Sequence, residues 1–415
     1  MNRNSRISGL YKMALEERLQ VLREAAGLTE EDMKVLSEGL SLSLANVMAE
    51  NVIGVFQVPL GIATNFVVNG KRYLVPMATE EASVIAAASH AAKLALPEGF
   101  HAVSTRPIMR GQVQILDIED PKAGGRAIME AKADLIKQAN RLAGSLPALG
   151  GGAVDLAVKV FESPKNMLII EFYVDCRDAM GANSIDNMVE GIAPELEEIT
   201  GGRALLKIIS NLATERMAKA WVTYRAKAIG GPKVVDGIID AYSFAVADPY
   251  RATTNNKGIM NGITAVVLAT ANDTRAVEAG AHAYASLTGR YQPLAKWSKD
   301  ENGDLAGELE MPLVVGTVGG ATKTHSVAKL SLKVLGVESA SELAEIVCSV
   351  GLAQNFAALR ALVTEGIQKG HMELHARNVA LMAGATGEQI ERVAEMLVKE
   401  RNVRVSRAKE ILQKM

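Results

Sequence analysis

Two cysteines, Cys176 and Cys348, are all that the 415-residue chain contains, too few for a disulfide framework and in keeping with a reducing compartment. Each reads as a small buried hydrophobe. Charge of one sign is missing as well: the formal net charge is -2, with Lys and Arg scattered among Asp and Glu, so no basic stripe exists to neutralise a phosphate backbone. Nucleic acid is not an expected partner. No apolar run approaches the roughly 18 residues that span a bilayer, and the opening MNRNSRISGLYKM carries positive charge without the apolar centre of a signal peptide. The expectation is a soluble, cytoplasmic protein with no membrane partner. Internal repeats and low-complexity segments are absent. So is G-x-G-x-x-G, the turn through which a Rossmann domain holds a dinucleotide.

What is present is an ordinary globular composition, 48% hydrophobic and 22% charged, with length for roughly two or three domains. Leu15, Leu19, Leu22, Met33 and Leu36 recur at helical spacing, and Thr29 with Asp32 forms a capping-box pattern, so two short helices open the chain. NFVVNGKRYLVPM reads as a hairpin turning on Asn69-Gly70, followed by an alanine-rich helix beginning near Thr79. From about Ile108 to Leu212 strands and helices alternate: GQVQILDI, the helix GGRAIMEAKADLIKQANRL, the strands AVDLAVKVF and MLIIEFYVD, then a helix after Asp178. This reads as an inserted α+β domain. The later half returns to helix, with strands such as ELEMPLVVG. It ends in an amphipathic tail with Ile390, Val393, Met396 and Leu397 on one face, suited to a small lid.

Several residues carry possible chemistry. In DAMGANSIDNM, Gly181 between a strand and a helix would let backbone amides approach a pyrophosphate, although a plain helix-start turn has the same pattern. Glu80 and Glu81 stand where a strand gives way to a helix, a place where carboxylates also serve as dipole caps. Lys257, in NNKGIMNG, reads as lying in a polar loop able to fix an ammonium beside a carbonyl oxygen. His371 and His375 are spaced to share a helix face, which raises a metal site, but the H-E-x-x-H order is missing because Met372 follows the first histidine. No metal is expected. Gly366 and Gly370 mark a hinge, which makes His371 a candidate proton donor at the root of a mobile segment.

Taken in order, ENVIG at 50–54, PMATEEAS at 76–83, DAMGAN at 178–183, DPYRATTNNKGIMNG at 248–262, ATANDTRAVEAGAH at 269–282, VGGATKTH at 318–325 and LAQNFAALRALVTEGIQKGHMELHARN at 352–378 resemble the soluble bacterial and archaeal 3-hydroxy-3-methylglutaryl-CoA reductases, class II, nearly end to end. The resemblance implies an α+β fold: a large helix-rich domain (1–107 and 213–366) binding substrate and CoA, an inserted ferredoxin-like dinucleotide-binding domain (108–212) and a C-terminal helical flap (367–415). It implies reduction of the hydroxymethylglutaryl-CoA thioester to mevalonate and free CoA, or the reverse, by two hydride transfers. Lys257 would stabilise the oxyanion, Glu81 supply protons, Asp273 hold both in one charge network and His371 protonate the departing CoA thiolate. Ser83, Arg251, Asn261 and Asn355 would contact the hydroxymethylglutaryl group. Ala179, Met180, Gly181, Ala182, Asn183 and Asn211 would face the dinucleotide. A homo-oligomer built from dimers is implied, with the active site between subunits.

The cofactor is NADP(H) or NAD(H), leaning to NADP(H). The aspartate that some NAD-preferring relatives carry before the triple glycine is replaced here by Ala143, with Lys137 and Arg141 just upstream. Tyr11 and Lys12 stand where some relatives place an arginine near the CoA phosphates. The alternatives are a CoA-binding homologue without reductase activity and a metal-dependent hydrolase using the two histidines.

Overall fold

The computed structural model describes residues 5–7, 9–364 and 366–415, with the side chains of 367–374 outside that description. The first two helices, Leu15–Ala26 and Glu30–Glu38, are joined through the Thr29/Asp32 capping box, in which each side chain satisfies the other's backbone amide. Strands β1 (Leu60–Val68) and β2 (Lys71–Ala78) pair antiparallel across Asn69 at φ 50° and Gly70 at φ 78°, the two positive values that a tight hairpin turn requires. The following helix is Val84–Leu94, so it begins five residues later than alanine content suggests. Its start is set by the turn before it, where Ser83 adopts φ 76°. That turn is where Glu81 sits.

β3 (His101–Ser104) leads into a separate four-stranded sheet made of β4 (Ile108–Leu116), β5 (Gly152–Phe161), β6 (Met167–Asp175) and β7 (Arg203–Ser210). The strand order is β5-β6-β4-β7, antiparallel throughout, with helices after the first and third strands. This is the β-α-β-β-α-β, ferredoxin-like arrangement. Val113, Ile115, Leu156, Ile170 and Phe172 face Ile185, Val189 and Ile192 of the helix Ala182–Thr200 in one fully buried core. Gly111 lets that helix sit close, since a Cβ there would fall 2.5 Å from Ile185. GGRAIMEAKADLIKQANRL forms two helices, Pro121–Glu130 and Lys132–Leu142, because Ala131 leaves helical geometry with ψ near 1°.

The chain then returns through β8 (Met217–Tyr224), β9 (Ala295–Lys299) and β10 (Leu305–Pro312), which with β3 form a second four-stranded antiparallel sheet in the order β3-β8-β10-β9. The helices Pro249–Ala269 and Ala340–Val363 belong to this unit's core, where Tyr224 stacks on Phe356 beside Trp297. Ala340–Val363 has the length and hydropathy to cross a membrane, yet 67% of its most apolar window is buried in this core. Cys348 lies within it, and Cys176 in the inserted unit, both buried thiols; burial pushes the Cys176 thiol up to about 12.

After Gly366, at φ 76°, three helices, Ile367–Met382, Glu388–Lys399 and Val405–Leu412, close around their own small core of Ala380, Val393, Leu397 and Ile411. Val393 and Leu397 face inward as their spacing predicts, whereas Met396 is 41% exposed and lies off that face.

Candidate active site

Lys257 stands on a helix, which corrects the polar-loop expectation. Asp248 caps the helix by accepting from the Arg251 amide at 2.9 Å, Pro249 takes the first position, and Ile259, Met260, Ile263, Val266 and Val267 bury one side. The asparagines that suggested a loop are themselves anchored. Asn256 is fully buried, donating to the Gln292 carbonyl at 2.8 Å and accepting from the Leu294 amide at 2.9 Å. Helical spacing puts Lys257 and Asn261 on one face.

Opposite that face, Lys257 Nζ donates to Glu81 Oε2 at 2.8 Å, and Asn261 Nδ2 lies 3.5 Å from Glu81 Oε1. Glu81 is therefore the ion-pair partner of Lys257 and not a cap: the helix Val84–Leu94 has no side-chain cap bond, and Glu80 is exposed. The Glu81 amide is held by Thr79 Oγ1 at 3.1 Å, which fixes the turn. Ser83, two residues on, holds a strained left-handed backbone at the same edge. An ammonium, a carboxylate and an amide thus meet at an accessible edge, where they can polarise a carbonyl and exchange a proton with it.

Arg251 lies on the same helix, about one and two-thirds turns before Lys257, and is partly buried, with no carboxylate within ion-pair distance among the described residues. Burial pulls its pKa below the usual guanidinium range. Such a cation is suited to an anionic ligand.

Three expectations change. Asn355 is 1% exposed, with its amide fully engaged: Oδ1 accepts from Trp297 Nε1 at 2.8 Å and Nδ2 donates to Asn255 Oδ1 at 3.0 Å. These bonds brace the helix that carries Lys257 from behind. Asp273 caps the helix Thr274–Ala285 through the amides of Arg275 and Ala276, both at 3.0 Å, and among the described residues no hydrogen bond joins it to Lys257 or Glu81. Within one chain the charge network is a pair. Ala143 is 3% exposed inside the core of the inserted unit, so it does not present a surface to a ribose. The His371 side chain falls outside the described residues; its backbone belongs to the helix Ile367–Met382, and His375 is exposed.

The turn from Ala179 to Gly181 delivers the chain into the helix Ala182–Thr200, whose first amides have no side-chain cap and no acidic residue in the first turn. Gly181 adopts φ 107°, and a Cβ there would fall 2.3 Å from Cys176 Sγ, so only glycine fits. Asn183 is exposed on that first turn, and Asn211 is exposed just after β7. Free amides and an uncharged rim fit a pyrophosphate.

Four residues that motif reading passed over also shape the site. Asn255 Nδ2, on the helix of Lys257, and Gln354 Oε1, on the helix Ala340–Val363 packed against it, are buried atoms without a partner among the described residues, in residues 3% and 5% exposed. Arg216 and Asn272 hold the turn beside Gly181. The signal available for them was adjacency: Gln354 precedes Asn355, and Asn272 precedes Asp273.

A profile of the hydroxymethylglutaryl-coenzyme A reductase family matches residues 14–376. The chain is 52% identical to the 3-hydroxy-3-methylglutaryl-coenzyme A reductase of Archaeoglobus fulgidus, over 99% of this chain and 95% of that one. It is 39% identical to a probable reductase of the same name from Borreliella burgdorferi, over 80% of this chain and 77% of that one. Among solved structures, the 3-hydroxy-3-methylglutaryl-coenzyme A reductase of Streptococcus pneumoniae superposes with a TM-score of 0.85 at 41% identity, covering 98% of this chain and 99% of that one. The class II enzyme from that organism, bound to NADPH in open conformations, gives 0.84 at 42%, covering 86% and 99%. With its profile match, its identities and its fold in agreement, the chain belongs to the hydroxymethylglutaryl-coenzyme A reductase family.

Proposed function

We propose that this chain reduces the thioester of hydroxymethylglutaryl-CoA to mevalonate and free CoA at the edge where Lys257, Glu81 and Asn261 meet, with NADPH as the preferred reductant. The observation that carries this reading is the 2.8 Å Lys257–Glu81 pair, formed by residues far apart in sequence. The open amides at the start of the Ala182–Thr200 helix would hold the nicotinamide dinucleotide, which when bound would supply one hydride in each of two rounds. Lys257 faces the carbonyl oxygen and neutralises the negative charge that develops on it in both rounds. Glu81 delivers the proton to that oxygen, and the ammonium beside it keeps the resulting carboxylate stable.

After the first round the carbon bears both oxygen and sulfur. As the carbon–sulfur bond breaks, the Glu81 carboxylate takes back the hydroxyl proton, the oxygen returns to a carbonyl, now an aldehyde, and CoA leaves as the thiolate, which His371 protonates. Arg251 binds the carboxylate of the acyl group, supported by Ser83. The NADPH-bound state of the Streptococcus pneumoniae enzyme supports the choice of reductant.

Assembly into at least a dimer belongs to this reading. Ile53 and Phe56, in and just after the ENVIG segment, are 101% and 93% exposed, an apolar surface that a second copy would cover. Asp273, apart from the pair within one chain, enters the charge network through that assembly. The reading places the enzyme in the cytoplasm.

Lys257→Ala should lower turnover by ~10²–10³ while changing hydroxymethylglutaryl-CoA binding less, because a fixed cation acts mainly on the developing oxyanion. A folded variant with near-normal steady-state turnover contradicts the assignment. His371→Gln should cripple thioester reduction and spare reduction of free mevaldehyde, which has no thiolate to protonate. Equal loss in both assays points instead to a shared role in closing the flap, and His375→Gln is the control expected to keep both activities.

Asn183→Asp adds a carboxylate where a pyrophosphate would lie without disturbing the helix, since acids are favourable at a helix N-terminus. The kcat/KM for NADPH should fall roughly tenfold or more by charge repulsion, and the wild type should favour NADPH over NADH. Unchanged NADPH kinetics would place the dinucleotide elsewhere. Ala143→Asp is no substitute test, because it would bury a charge in a core.

A further inference from the structure

Arg216 stands at the junction where the chain leaves the inserted unit and re-enters the large one, one residue before β8. It is 4% exposed. Its Nη1 donates to the carbonyls of Ala179 at 3.0 Å and Met180 at 3.1 Å, and its Nη2 to the carbonyl of Val315. Among the described residues no carboxylate lies within ion-pair distance of it, so carbonyl dipoles from two segments hold the charge. Burial pulls its pKa below the ordinary guanidinium range. A buried cation held in this way contributes little net stability, because desolvation offsets what the hydrogen bonds return. What a planar guanidinium supplies that an apolar residue could not is a fixed geometry between the two segments it bridges.

Those segments are the Ala179–Gly181 turn and the end of the β10 extension, and a second brace ties them. Gly316 lies so close to the turn that a Cβ on it would fall 2.7 Å from the Met180 nitrogen and 2.9 Å from the Asp178 oxygen. The Thr317 amide donates to that same Asp178 oxygen at 2.9 Å. Asn272 clasps Gly316 on both sides, accepting from its amide at 2.7 Å and donating to its carbonyl at 3.1 Å. The next residue is Asp273. The turn is therefore linked through Gly316 and Asn272 to the segment that carries a candidate catalytic carboxylate.

We propose that Arg216 is a positioning residue for hydride transfer, fixing the dinucleotide-binding turn against the large unit so that the reductant and the thioester carbonyl meet in register. This rests on reading the Ala179–Asn183 segment as the dinucleotide site. Reacting atoms must approach to about 3–3.5 Å, and a shift of about 1 Å at a remote support is enough to cost rate. The guanidinium touches neither ligand and acts through the turn.

The test measures the Kd of NADPH by its fluorescence, the Kd of hydroxymethylglutaryl-CoA by calorimetry, kcat and the thermal midpoint, in Arg216→Met, Arg216→Lys, Gly316→Ala and Asn183→Asp. Arg216→Met should raise the NADPH Kd roughly tenfold and lower kcat, leaving the thioester Kd within about twofold. The thermal midpoint should hold, since methionine fills the volume without a buried charge. Arg216→Lys, which keeps one donor group, should fall between. If Arg216→Met does not fold, Gly316→Ala decides, because it pushes the turn away without altering the guanidinium; it should show the same selective loss of NADPH binding. Normal NADPH binding in folded variants, or a parallel loss of both ligands with a lower midpoint, overturns the positioning role. Asn183→Asp separates the two claims. If it weakens NADPH while Arg216→Met and Gly316→Ala do not, positioning fails and the site stands. If it too binds NADPH normally, the dinucleotide site itself is misplaced and the proposal falls with it.

Discussion

The Lys257 ammonium and the Glu81 carboxylate hold each other, and much of the surrounding structure serves to bring them together. Neither is fixed by its own element alone. Lys257 needs a long helix stiff enough to keep one face in place, which the Asp248 cap, the buried aliphatic side and the Asn355–Asn255–Trp297 braces provide. Glu81 needs a turn that stops β2 and delays the next helix, which the Thr79 bond and the left-handed Ser83 provide. An ion pair this accessible adds little stability in water, because solvent screens both charges. In the proposed reaction its value lies in chemistry, because a bound thioester that excludes water would strengthen every interaction with a developing oxyanion.

The two-unit architecture follows from the same need. A ferredoxin-like sheet with its helices on one face has a sealed core of its own, independent of the aromatic and aliphatic core around β8 and β10. The turn at the start of the Ala182–Thr200 helix, the proposed dinucleotide site, must then be registered against a separate body. Backbone contacts from the Gly316–Val318 loop and the carbonyls gathered by Arg216 do this, leaving the helix amides open. The helix start needs no side-chain cap of its own, because the neighbouring unit secures the turn that such a cap would otherwise hold, which is what the proposed dinucleotide site requires.

Periodicity and turn chemistry made most of the elements legible. The Asn69-Gly70 hairpin, the Thr29/Asp32 capping box and the strands of the inserted sheet all rest on local rules, and local rules suffice where one segment determines its own shape. The resemblance of ordered motifs identified the family. Local reasoning failed where tertiary partners decide. The asparagines around Lys257 read as a loop, but buried partners pull them into a helix; Ala131 splits a helix whose pattern is continuous; Ser83 moves a helix start that composition puts at Thr79. In the site, pairing of Glu81 with Lys257 was available only through the family, since no spacing links residues so far apart. The engaged amide of Asn355, the capping role of Asp273 and the bracing by Arg216 and Asn272 depend on which segments meet in space, which a single sequence does not state.

The central claim is that one carboxylate, paired with one ammonium, serves both hydride steps. Glu81→Gln tests it most directly, because the amide oxygen can still accept from Lys257 while the proton donor's acidity is removed. Measured with the thioester and with free mevaldehyde, both reductions should fall by ~10²–10⁴ at undiminished substrate binding, the range expected for loss of a positioned acid. Near-normal mevaldehyde reduction by this variant would contradict the account, since the second step would then draw its proton from another group.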